Sequence, residues 1–303
     1  MADFLGAILI LVPAGLWVGS IATDFFSRRS QAAALLATIG HAVAALAIYA
    51  IVTNGTGALV TDGEPRFLQV LLNLVLGQAI LFGAVLHLFG KRLGLPGRTL
   101  AGLIGLLLLS FSPLVSGGDL IRLATALLIW SMATVPTLLL AAWTDVRDSI
   151  VARSLMQNTI WAAILLWLMP GAVIANGLGQ WSTPDQLQDW PRVVSIAALL
   201  LPIGLISVAL GEFAVRGNGT GFPFDPPEKL VTTGVYALVS NPMQLGICSM
   251  MAVWGLVLQN PLITAMAGVA FFLFVVFKNV CNGSFAIGRR DPEWCSYQDA
   301  VPR

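Results

Sequence analysis

Apolar residues run along this chain in long blocks broken by short polar interruptions, with no alternating rhythm of the kind a half-buried strand needs. A helix that crosses a bilayer needs about 20 consecutive, mostly apolar residues. On that criterion the blocks predict nine helices, over 4–25, 31–53, 68–90, 99–116, 120–143, 151–176, 193–215, 238–259 and 261–281. Breakers mark most of the ends. Asn54-Gly55 follows the second block, Gly94, Pro96 and Gly97 the third, Ser116-Gly117-Gly118 the fourth, and Asn260-Pro261 turns between the last two. The fold class this implies is all-α, a polytopic transmembrane bundle of about nine spans.

The basic residues orient it. With the N-terminus outside, the inner segments hold Arg28, Arg29, Lys91, Arg92, Arg98, Arg147, Arg153, Arg216, Lys229, Lys278, Arg289, Arg290 and Arg303. The outer ones hold Arg66, Arg122 and Arg192. Cytoplasmic connections carry the excess of Lys and Arg in membrane proteins. Thirteen against three therefore puts the C-terminus in the cytoplasm, and a miscounted helix in the first half would scramble the alternation. The expected location is multi-pass, in the inner (plasma) membrane of a bacterium.

Composition agrees. Of 303 residues 57% are hydrophobic and 10% charged, against roughly 25% charged in soluble proteins. A net charge of +1 gives no broad attraction to nucleic acid. Three cysteines, Cys248, Cys281 and Cys295, form no Cys-x-x-Cys pair, and two histidines are too few for a multi-histidine site, so no metal centre is expected. The first segment lacks the basic start of a signal peptide and is read as a helix that stays. His41, His87, Asn73 and Gln78 are expected to hydrogen-bond between helices. Met243, Met250 and Met251 are expected to pack.

Organisation changes near residue 180. Residues 1–180 carry six predicted helices with little polar chemistry. The stretch 177–192, with Trp181 and Trp190, reads as an external linker, and 190–303 holds the polar features. A cytosolic loop runs Gly217-Asn-Gly-Thr-Gly-Phe-Pro-Phe-Asp-Pro-Pro-Glu-Lys. Its glycines allow backbone N–H groups to approach an anion or nucleotide, but it ends in no Gly-Lys-Ser/Thr and follows no strand. Next come Tyr236 and Ser240-Asn241-Pro242-Met243-Gln244. Asn241 and Gln244 are polar groups at membrane depth, which pair with something or face a cavity. Pro242 is expected to bend its helix. Glu212 lies within the seventh span, one turn before Arg216. In the tail, Trp294, Tyr297 and Val301 share one helical face, as an amphipathic surface helix would. All of these lie on the cytosolic side.

In order and spacing, residues 217–303 resemble the isoprenylcysteine carboxyl methyltransferases, their bacterial relatives and the phospholipid methyltransferases. Gly217, Gly219 and Thr220 match that pattern's glycine loop. Asp225-Pro226-Pro227 and Leu230-Val231 follow. Gly234, Tyr236, Val239, Asn241-Pro242-Met243 and Gly246 match its central motif, and Trp294, Tyr297 and Val301-Pro302-Arg303 its tail. The resemblance implies S-adenosylmethionine bound from the cytosol and a lipid-soluble acceptor, isoprenoid or other, entering from the bilayer. It implies a cofactor zone of Gly217, Gly219, Thr220, Tyr236, Asn241, Pro242, Gln244, Asn282 and Tyr297. Glu212 is the nearby candidate base, with Asn241 beside it in the catalytic set. Three positions depart from the pattern. Ser240 stands for an Arg, Gln244 for a Tyr, and Asn282 falls where an acidic residue is expected. The first and last each remove a charge. They fit a balanced pocket, and they equally fit a module that has lost catalysis and serves as a membrane subunit or assembly factor with a protein partner.

Overall fold

The computed structural model describes residues 2–56, 73–112, 114–115, 117–181, 190–221 and 228–281. Among them there is no strand. Helices α1 (Ala2–Ala22), α2 (Arg28–Thr56), α3 (Asn73–Phe89), α4 (Gly94–Ser110), α5 (Asp119–Val146), α6 (Ile150–Ala175), α7 (Val193–Gly217), α8 (Pro242–Val257) and α9 (Pro261–Cys281) follow in chain order. One helix stands at each predicted span. Six of them, α1, α2, α4 with the 3-10 turn before it, α5, α6 and α7, are long and apolar enough to cross a membrane. The described part of α3 and the apolar parts of α8 and α9 are shorter. At 1.5 Å per residue the 16-residue α8 reaches about 24 Å.

Large apolar side chains face outward along these helices: Leu108 is 73% exposed and Leu201 78%. Water would not tolerate so much exposed hydrocarbon, but lipid does. The chain is a multi-pass integral membrane protein.

Contacts divide the chain into two compact units, Met1–Ile160 and Trp161–Arg303, with the boundary inside α6. In the first, α2 is central. Its Ala33, Ala34, Ala37 and Ala45 are fully buried, and small residues of this kind let helices approach closely in lipid. At Gly83 in α3 an added Cβ would fall 2.7 Å from the Thr38 backbone of α2. Around this contact Ile48, Tyr49, Leu74, Val75, Phe82, Leu106 and Ile129 form the main core cluster. Single π turns interrupt α3 (Ala79–Val85), α5 (Trp130–Thr134) and α6 (Ile164–Leu168).

In the second unit α8 packs between α7 and α9. Gly246 of α8 lies against Ile206 of α7, and Gly255 against the Thr264 backbone of α9. The α8–α9 turn is held by Asn260. Its Oδ1 accepts from the Leu262 and Ile263 N–H groups at 3.1 and 3.3 Å, and its Nδ2 donates to the Leu178 carbonyl at 2.8 Å.

Two expectations change. Pro242 does not bend a helix; it is the first residue of α8, where its missing N–H had no partner to lose. The segment 238–241 therefore lies outside that helix, after a 3-10 turn at Gly234–Ala237. His41 makes no hydrogen bond among the described residues. Both of its ring nitrogens are buried without a partner, and the ring lies 5.9 Å from that of Phe82.

Candidate functional site

The candidate site begins where α7 ends. Its last residues form a π turn, Phe213–Gly217, closed by Asn218 in the left-handed region at φ 51°. Asn is among the few non-glycine residues that adopt this conformation readily. The Gly219 N–H returns to the Phe213 carbonyl at 3.2 Å. The Gly217 carbonyl accepts from the N–H groups of Glu228 and Lys229 at 2.7 and 3.3 Å. Asn218 Nδ2 donates to Glu228 Oε2 at 2.8 Å. The two ends of the Gly/Pro loop are thus pinned to one point. Residues 222–227, with Asp225-Pro226-Pro227, lie outside the described residues.

Gly217, Gly219 and Thr220 are buried beneath this closure. An added Cβ at Gly221 would lie 3.0 Å from both Leu210 of α7 and the Met243 sulfur of α8. Glu212 sits on the adjoining side, 16% exposed at its side chain. Its Oε2 accepts from Arg216 Nε at 3.0 Å and from the Thr233 hydroxyl at 3.2 Å. Gly234, at φ 60°, has its missing Cβ position against the same carboxylate. Glu212 therefore ties α7 to the turn that carries Tyr236. The Tyr236 ring lies 5.0 Å from that of Phe213 and is buried with Ala209 and Val231, Met243 packing against them.

Of the predicted residues, then, Glu212, Gly217, Gly219, Thr220 and Tyr236 gather at the end of α7. Asn241 and Pro242 open α8 beside Met243, and Gln244 lies half-buried in its first turn. The Asn241 side chain does not cap the helix. Asn282 and Tyr297 lie outside the described residues. Sequence reasoning missed Thr233, Asn218 and Glu228. Only Asn218, between two glycines, carried a turn signal; the partners of the others are ten or more residues away.

A second polar cluster lies in the first unit; His87 bonds between helices there, as expected, but its partners were not foreseen. Asp145 Oδ2, at the end of α5, is 2.7 Å from Lys91 Nζ and 3.1 Å from His87 Nε2. Lys91 also donates to Ser30 Oγ at 2.8 Å. Arg98 Nη1 is 3.1 Å from His87 Nδ1. A guanidinium can only donate, so Nδ1 must accept and the His87 proton belongs on Nε2, toward Asp145. The arrangement joins the ends of α2, α3, α4 and α5; the Nε2 contact with Asp145 is close in distance but not aligned as a hydrogen bond. Among the described residues no group of three or more His, Cys, Asp or Glu side chains is placed to hold a metal ion.

Among the described residues, nine apolar helices and a polar end on α7 and α8 define a polytopic helical membrane protein with a candidate site in its second unit. Residues 191–285 of the chain match the family model for phospholipid methyltransferases. The match takes in α7, the pinned loop, α8 and α9, so the methyltransferase resemblance read from 217 onward is borne out as far as residue 285. No curated protein and no solved structure matches the chain.

Proposed function

We propose that this protein is an integral membrane methyltransferase that uses S-adenosylmethionine from the cytosolic side and methylates a lipid-soluble acceptor. The family match over 191–285 is the observation that carries the reading. In this reading 190–303 is the transferase module, and 1–180 forms a lipid-facing shell or part of the acceptor cavity. Nine spans, an outside N-terminus and a cytoplasmic C-terminus in a bacterial plasma membrane complete it.

The residues at the end of α7 suit a cofactor of this kind. The polar side chains there are two amides, Asn241 and Gln244, next to a glycine-rich loop whose ends are fixed. S-adenosylmethionine would supply a methyl group on a sulfonium, already a good leaving group, so the protein has mainly to position it and exclude water. Asn241 and Gln244 would hydrogen-bond its polar groups. Gly217, Gly219 and Thr220 would bring the backbone close, with Pro242 fixing the direction of α8. Asn282 and Tyr297 would add to the pocket from the C-terminal segment. Tyr236 would form the floor, since its ring is already packed on Phe213. Glu212 was the candidate base, and its carboxylate is taken by Arg216 and Thr233. That suits holding the loop better than accepting a proton. A carboxylate acceptor needs no base at all.

Purified protein given S-adenosylmethionine labelled in the methyl group, with a lipid extract, should yield labelled lipid. Asn241→Ala should lose cofactor binding without unfolding, and unchanged binding would count against the site. A second reading rests on Ser240, Gln244 and Asn282, which replace the residues of the usual pattern. It makes the module a non-catalytic scaffold, and a co-purifying membrane protein together with absent cofactor binding would favour it.

A further inference from the structure

Buried polar groups of opposite character meet at one small cavity in the first unit. It measures about 10 Å³, close to the least space that holds a water oxygen. Tyr49 of α2, Gln78 of α3, Ser110 of α4, and Arg122 and Thr125 of α5 supply its polar lining. Gln78 is 1% exposed; its Nε2 donates to the Tyr49 hydroxyl at 2.8 Å, and its Oε1 is buried without a partner among the described residues. Arg122 Nε is buried in the same state. The Ser110 and Thr125 hydroxyls donate to carbonyls of their own helices, Leu107 and Ile121, each at 2.8 Å.

The two orphaned atoms demand different things. Arg122 Nε–H can only donate, and an amide oxygen can only accept. A carboxylate or phosphate oxygen would serve Arg122 but repel Gln78 Oε1. An ammonium would serve Gln78 but be repelled by Arg122. A hydroxyl oxygen serves both, because it accepts and donates at once. It can also accept from the Tyr49 hydroxyl, whose own hydrogen is not used in the bond from Gln78. That makes three bonds, the usual number for a buried water. Buried polar atoms left unmatched in this way are costly.

We infer that this cavity binds one hydroxyl oxygen, that of a water or of a lipid alcohol, bridging Arg122 and Gln78 and so joining α5 to α3 and α2. The site is independent of the methyltransferase reading, since all its residues lie in the first unit.

The full-length protein in detergent gives the test. Thermal melting would be compared for the wild type, Gln78→Met, Arg122→Met and the double variant. If one oxygen bridges the two side chains, the double variant loses less than the sum of the single losses, because either substitution alone already breaks the bridge. Should Gln78→Met not fold, Tyr49→Phe replaces it in the cycle. Melting with added 1-octanol then separates the sources. A rise in the wild type that is absent in Arg122→Met identifies a lipid alcohol, and coupling without that rise identifies water. Strictly additive losses would overturn the inference. So would a wild-type rise with inorganic phosphate that Arg122→Met abolishes, because that would make the cavity an anion site.

Discussion

Single atoms set the closest helix contacts in this protein, and two glycines show the range. At Gly246 an added Cβ would lie 2.6 Å from Ile206 Cγ1, a side-chain atom that has some freedom to move. At Gly83 it would lie 2.7 Å from the Thr38 backbone, which has much less. Overpacking a tight site costs about 1–3 kcal/mol. Gly246→Ala should fall near the lower end and Gly83→Ala at or beyond the upper. Thermal melting checks the order, and the reverse order would contradict the packing described. Glu212 makes a different prediction. Its partner Arg216 is half-exposed, and exposed ion pairs contribute little. Glu212→Gln can still accept from Thr233, so it should cost below about 1 kcal/mol and leave the pH profile of methyl transfer unchanged. A loss of about 100-fold in rate with the fold intact, the size expected for a lost general base, would return Glu212 to that role.

Helix ends and junctions carry the specific polar chemistry. Asn260→Ala removes two acceptor bonds at the start of α9 and strands the Leu178 carbonyl. A lost helix cap costs about 0.5–2 kcal/mol, which the melting temperature should register. Asp145→Leu should cost about 1–3 kcal/mol, since it strands buried His87 Nε2 and removes an ion pair with Lys91 that is itself partly exposed and contributes little. At this scale the sequence was informative about where helices lie and poor on what joins them. Apolar block length and breakers such as Asn260-Pro261 placed a helix at every span. Gln78 was expected to bond between helices and does so, to Tyr49. His87 was likewise expected to bond between helices and does so, to Arg98; that Asp145 and Lys91 join it was invisible, because Asp145 and His87 lie far apart in the chain and only the packing of α3 against α5 brings them together. Pro242 was misread because a proline at a helix start and one inside a helix look alike when the preceding turn is also apolar. The candidate site was legible only through the family resemblance, which singled out Gly217, Thr220 and Tyr236; Thr233 and Glu228, which bond to Glu212 and to Gly217 and Asn218, had no pattern to mark them.

Across the whole molecule two units share one polypeptide, and the family match falls entirely within the second. The proposed orientation places Arg66 outside and Arg147 in the cytoplasm. In a variant with the three native cysteines replaced, a single cysteine at position 66 should react with a membrane-impermeant maleimide on intact cells. One at position 147 should react only after permeabilisation. The opposite pattern would invert the topology and move the α7–α8 end away from cytosolic cofactor. The most direct measurement is calorimetric titration of detergent-purified protein with S-adenosylmethionine, with S-adenosylhomocysteine as comparison. The methyltransferase reading predicts saturable binding of both with Kd on the order of micromolar, about −8 kcal/mol, lost in Asn241→Ala. A folded protein that binds neither, across lipids and pH, would contradict it and leave a scaffold that has kept the family's helices without its chemistry.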